Sequence, residues 1–151
     1  MNIWRISRYT PLDGEGGRLY PGRWNTAGRP LVYLADSSGS ALNELLAHLE
    51  LTEDQIPSGY TLLKVSVPET VSVFDLMPST ADWKHNLPLT RSLGDTWLRE
   101  KSSALARVPS ALLPLTFNYL LNPLHPDAAR ITITDSHPID LDHRLLRTTT
   151  P

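Results

Sequence analysis

The sequence predicts an α+β fold in one compact domain over residues 1–151, with mixed, strand-rich sheets and two or three helices. Three observations predict it. The chain is 151 residues long, 40% hydrophobic and 20% charged, which suits one globular domain with a sizeable core. Thirteen prolines and eight glycines are spread along its length and divide it into short elements instead of marking one linker. Most of the apolar segments between them read as strands, and helical spacing is clear in few.

In order, Ile3 to Ser7 reads as a strand and Arg8 to Gly22 as a glycine-rich loop. Leu31 to Ala35 is a continuous apolar run, as expected of a strand covered on both faces, with Tyr33 on the face of Leu31 and Ala35. With Ser38 or Ser40 as N-cap, a helix runs to about Glu50, its apolar stripe formed by Ala41, Leu42, Leu45, Leu46 and Leu49 and its flank by Glu44 and His48. Tyr60 to Val67 alternates, and Val71 to Asp75 follows a turn at Pro68, so the two read as strands of a meander. Pro78 to Pro88 is a loop, and Leu89 to Ser102 a helix packing Leu93, Trp97 and Leu98. Ala104 to Pro109, Leu112 to Leu121 and Arg130 to Thr134 are further strands. "PIDLDHRLL" closes the chain as a strand with Ile139, Leu141 and His143 opposed by Asp140 and Asp142, and Trp4 and Trp24 are expected in the core.

Composition excludes several classes of function. A net charge of −2 leaves no broad electrostatic footprint for direct nucleic acid binding or for an anionic membrane. No stretch approaches the ~20 apolar residues of a membrane helix. Without cysteine there is no disulfide, thiolate nucleophile or Cys-ligated zinc, so the expected setting is the cytoplasm. Lysine occurs only at Lys64, Lys84 and Lys101, the other cations being arginine, whose planar fork suits phosphate and carboxylate.

The stretch "DGEGGRLYPGRWN", Asp13 to Asn25, fits neither GxGxxG nor GxxxxGK[ST] and reads on pattern alone as a flexible loop. The arginines around it (Arg5, Arg18, Arg23 and Arg29) are what suggest a phosphate site. Glu44, taken alone, is a glutamate on a solvated flank, and Glu44 with His48 at i, i+4 lacks a third metal ligand, so no metal is expected. Ser110 lacks a G-x-S-x-G setting, and Asn118 and Asn122 are suited to anchoring turns or a ligand.

Taken together, "WRIS", "GRWNTAGRPLVYLADSSGSALNELLAHLE" and "RVPSALLPLTFNYLLNPLHPDAARI" resemble, in order, the arginine, glutamate and serine blocks of the RES-domain family, the toxin half of bacterial RES-Xre toxin-antitoxin pairs. The resemblance covers nearly the whole chain. It implies one RES domain, an ADP-ribosyltransferase-like fold around an NAD cleft, and NAD+ consumed as a substrate and not held as a cofactor. The family breaks NAD+ by hydrolysis or phosphorolysis, and some members transfer ADP-ribose to a protein. Carried over by position, it implies Glu44, Ser110 and Arg23 as catalytic residues, and Arg5, Arg18, Tyr33 and Asn118 as NAD-binding residues. It also implies an Xre-type helix-turn-helix antitoxin that blocks the cleft.

Overall fold

The computed structural model describes residues 1–49 and 58–146. One mixed sheet organises them. Its strands are β1 (Asn2–Ser7), β2 (Val32–Ala35), β3 (Tyr60–Ser66), β4 (Val73–Asp75), β5 (Leu105–Pro109), β6 (Phe117–Leu121) and β7 (Thr132–Ile139), in the order β4-β5-β6-β2-β1-β3-β7. Three α-helices accompany it among the described residues: α1 (Glu15–Leu19), α2 (Ser38–His48) and α3 (Leu87–Glu100). The α+β class and single domain follow, as one sheet where the sequence suggested several.

Leu31 and the alternating residues of β2 that follow it divide between two clusters. Val32 and Leu34 join Ile3, Leu63, Leu105, Tyr119 and Leu121. Leu31 and Tyr33 join Trp24, Trp97, Leu98, Val108 and Leu120. A central strand with both faces covered must read as a continuous apolar run, and the run Leu31 to Ala35 does so for that reason.

Several elements differ from the expectations above. The strands after Tyr60 form no meander: β3 lies between β1 and β7, while β4 pairs parallel with β5 at the far edge. The presumed loop Arg8 to Gly22 contains α1, entered through Gly14 at φ 75 and packed so closely that a Cβ on Gly17 would lie 2.7 Å from the Leu31 carbonyl oxygen. Here tertiary contact overrides the low helix propensity of glycine. α2 is capped by Ser37, not Ser38 or Ser40: the Ser37 hydroxyl accepts from the Ser40 amide at 3.0 Å. It ends at His48, and Glu50 lies outside the described residues. α3 begins two residues early because the Asn86 side chain caps the Leu89 amide and Pro88 is tolerated in a first turn. Residues 83–85 form a 3-10 turn inside the expected loop. β6 starts only at Phe117, after a loop in which Leu115 adopts φ 63 and is 94% exposed. The last strand among the described residues is β7, which takes in Pro138 and Ile139 of the terminal segment predicted as a strand; the rest of that segment leaves the sheet, with Leu141 buried and a 3-10 turn (His143–Leu146) in which His143 is exposed. Trp24 is buried as expected, whereas Trp4 is only half-buried.

α3 matters because it clamps the loop in front of β2. Thr90 Oγ1 donates to the Arg23 carbonyl at 2.6 Å and Arg91 Nε to the Gly22 carbonyl at 2.8 Å, while Asp95 accepts from the amide and hydroxyl of Thr26. Gly94 lets the helix touch this loop, since a Cβ there would stand 1.7 Å from the Trp24 carbonyl oxygen. Gly94→Ala is therefore expected to force helix and loop apart and to cost at least about 1–3 kcal/mol, the usual scale of overpacking. Chemical denaturation of the variant beside the parent checks this.

Candidate functional site

The site begins where the sheet parts. β1 pairs with β3 over its whole length, from Asn2 opposite Ser66 to Ser7 opposite Thr61, but meets β2 in register only at Trp4 opposite Ala35. Beyond that point Arg5 takes over from the backbone ladder: its Nη1 donates to the Tyr33 carbonyl at 2.9 Å, and its Nη2 reaches the Ser7 hydroxyl at 3.4 Å. Its Nε is buried without a partner, and no carboxylate pairs with this guanidinium among the described residues. Burial lowers its pKa from the usual arginine value, yet a guanidinium stays protonated. A buried cation with no counter-ion is a ready binding point for an anion.

Glu44 hangs over this gap from α2. Ser110, buried just after β5, donates its hydroxyl hydrogen to Glu44 Oε1 at 2.9 Å while its oxygen accepts from the Leu112 amide at 3.1 Å. Asn118 Nδ2, from β6, donates to the same Oε1 at 2.8 Å. Glu44 Oε2 has no hydrogen-bond donor among the described residues. The carboxylate is thus fixed through one oxygen and open through the other. Helix α2 alone would leave it on a solvated flank; contacts 66 and 74 residues away in sequence make it a site.

Two adjoining cavities meet at Glu44. The smaller, of 170 Å³, lies against Trp4, Arg5 and Ile6 of β1 and the facing residues of β2. The larger, of 580 Å³, runs out past Gly22 and Arg23 on one side and Pro109 and Leu112 on the other. Tyr33, Glu44, His48 and Asn118 line both. Trp4, only half-buried, forms part of this wall.

At the outer end Arg23 lines the larger cavity, its Nη1 donating to the Lys84 carbonyl at 3.0 Å and its guanidinium 5.9 Å from the Trp83 ring centre. Trp83 itself leans on Trp24 at 5.8 Å between centroids. Arg18, by contrast, lines neither cavity; it forms an exposed ion pair with Glu15, three residues earlier on α1, at 2.5 Å. Of the seven residues carried over by resemblance, Glu44, Tyr33, Asn118, Arg5 and Arg23 line the cavities and Ser110 holds Glu44, while Arg18 stands apart.

One organising residue escaped sequence reasoning. Asn25, fully buried, donates to the carbonyls of Gly17, Tyr20 and Thr26 and accepts through Oδ1 from the Gly22 amide at 2.9 Å and the Tyr33 hydroxyl at 2.5 Å. It folds the loop that carries Arg23 onto the ring of Tyr33. Its signal was the Asn of "GRWN", at the end of a glycine-rich loop and before a strand. Burial pushes the Tyr33 phenol well above its usual pKa, so it stays neutral and continues to donate. Among the described residues no group of three or more His, Cys, Asp or Glu side chains is placed to hold a metal ion, and no helix is long and apolar enough to cross a membrane.

These features define a class: an α+β protein whose parted sheet forms an arginine-lined cleft around one anchored carboxylate. The chain belongs to the RES domain family, whose model matches residues 2–142. It is 44% identical over 140 residues to "Toxin Res" of Pseudomonas putida, covering 91% of this chain and 97% of that one. It is 30% identical over 162 residues to "Prs ADP-ribosylating toxin" of Sphingobium sp., covering 97% of each. A solved chain of the M. tuberculosis MbcT-MbcA toxin-antitoxin complex superposes with a TM-score of 0.74 at 19% identity over 96% of this chain and 86% of that chain, so the fold is shared.

The Tyr33 hydroxyl also accepts from the Trp24 amide at 3.1 Å, so Tyr33→Phe leaves that amide and Asn25 Oδ1 each short of one bond while preserving the ring. The expected loss of stability is about 1–3 kcal/mol, the cost of unpaired buried polar groups. Equilibrium unfolding of parent and variant measures it.

Proposed function

We propose that the chain is a toxin that destroys NAD+ by breaking the bond between nicotinamide and ribose. The observation that carries this is the Glu44 carboxylate, held through Oε1 and open through Oε2, in a cleft with an uncompensated cation at its floor and a second at its mouth. The RES family membership and the toxin names of its relatives support the same reading.

The chemistry needs little else. As the bond from ribose C1′ to the nicotinamide nitrogen lengthens, its electron pair leaves with nicotinamide and positive charge builds on the ribose. A carboxylate fixed beside that ribose gains interaction as the charge develops, which is what lowers a barrier. Glu44 Oε2 takes that role, orienting a ribose hydroxyl in the ground state. Arg5 and Arg23 hold the diphosphate, so that binding far from the bond fixes the reacting carbon. Tyr33, common to both cavities, offers its ring to the nicotinamide. Water or phosphate then bonds to C1′ through oxygen and gives up a proton to solvent. NAD+ is consumed as substrate and no metal takes part.

A second reading, transfer of ADP-ribose to a protein, is favoured by the Sphingobium relative named an ADP-ribosylating toxin. The two share every step before acceptor attack. Such an enzyme, acting in the cytoplasm and arresting growth, requires a neutralising partner. We assign that role to an Xre-type helix-turn-helix antitoxin that seats carboxylates over Arg5 and Arg23. The toxin's net charge of −2 leaves DNA contact to the antitoxin. The co-purified pair is expected to be inert toward NAD+, and full activity of the intact complex would refute blockade of the cleft.

Purified chain is expected to deplete NAD+ and release nicotinamide, with phosphate added or omitted to identify the acceptor. Glu44→Gln, which keeps shape but removes charge, should stay folded and lose on the order of 10² to 10³ in turnover. Parental turnover by the folded variant would remove Glu44 from the mechanism.

A further inference from the structure

Asn118 lines both cavities, yet the donor half of its amide is not free for a substrate. Its NH2 group is spent on Glu44 Oε1 at 2.8 Å. Its own carbonyl oxygen is buried and has no donor. Across the sheet it faces Ala35 on β2 and Val108 on β5, neither of which carries a polar side chain. Rotating the amide would bring oxygen against the carboxylate, so Glu44 fixes its orientation. A buried amide oxygen without a donor is costly, and folded chains rarely retain one. An apolar residue of similar size would fill this sheet position without that cost. What the asparagine adds is the single bond to Glu44.

Ser110 alone leaves the carboxylate free to turn about that one contact. The second donor, from a rigid central strand, stops the rotation and commits Oε1 entirely to the protein, leaving Oε2 as the oxygen that faces the substrate. We propose that Asn118 is a positioning residue that acts through Glu44, and that it selects which carboxylate oxygen is available to the ribose. This rests on the NAD+-cleaving reading for its kinetic consequence, but the geometry can be tested without it.

Two variants test the proposal. Asn118→Ala removes the donor; Asn118→Asp keeps the shape and replaces the donor with an acceptor facing Glu44. Crystal structures of both should show the Glu44 carboxylate swung from its parental position, further in Asn118→Asp. In NAD+ turnover, Asn118→Ala should lower kcat on the order of tenfold to a hundredfold, the usual effect of removing a group that orients a reacting residue, with KM within about twofold. Asn118→Asp should lose at least as much. A Glu44 carboxylate unmoved in both structures, or parental kcat with a raised KM, would overturn the proposal and return Asn118 to direct substrate contact. If the parent chain fails to consume NAD+ while Glu44 still swings in the variants, the proposed reaction falls and the positioning role stands.

Discussion

The rest of the site depends on one interrupted pairing, that of β1 with β2 at Trp4 and Ala35. Had the strands stayed zipped as β1 and β3 do, the Tyr33 carbonyl would be met by a backbone amide and no space would exist beneath α2. Their parting leaves a carbonyl that must find a donor, and an unpaired one costs about 1–3 kcal/mol. Arg5 supplies the donor. A neutral side chain with one N–H could do so as well, without the penalty of several kcal/mol for a buried charge. The charge is therefore the part of Arg5 that the fold does not require, and it is the part that an anionic substrate would use.

A second constraint works from outside the sheet. A loop of glycines and arginines would ordinarily sample many conformations, which would make Arg23 a poor grip. Here Asn25 closes the loop on itself, Tyr33 ties it to β2, and Thr90 and Arg91 fasten it to α3. Arg23 then projects from a fixed backbone onto the Trp83 and Lys84 turn. The ordering cost is met in folding, so less remains to be met at binding. Arg18 shows the contrast. It lies on the same arginine-rich stretch, but on the outer face of α1, where Glu15 neutralises it.

Much of the fold was legible because burial imposes periodicity. β2, α2, α3 and β5 all follow from apolar spacing and caps, and their ends erred by a residue or two, at the helix starts because Ser37 and Asn86 decided the boundary. Adjacency was not legible: three residues of β4 carry no information about whether they return beside β3 or cross to β5. α1 was hidden because its glycines read as loop, although Gly14 and Gly17 are there to admit the backbone of Leu31. The site was the least legible part. Nothing local distinguishes Glu44 from a solvated glutamate or Ser110 from a turn serine. Resemblance to a family supplied both, and it placed Asn118 beside the ligand without indicating that Asn118 faces the carboxylate.

That division of labour explains why the site tolerates such ordinary residues. A glutamate, a serine and an asparagine have no unusual reactivity singly, and in the proposed reaction a departing nicotinamide would need no acid to assist it. What the proposed transition state would require is a negative oxygen that is already in place and has no other partner. Water would satisfy Oε1 readily, but a carboxylate solvated in that way would have to reorganise its shell as charge developed on the ribose of the proposed substrate. Ser110 and Asn118 substitute fixed donors for that shell on one oxygen only. The asymmetry between Oε1 and Oε2, produced by two strands and a helix meeting over a gap in the sheet, is the feature that a generic surface glutamate lacks.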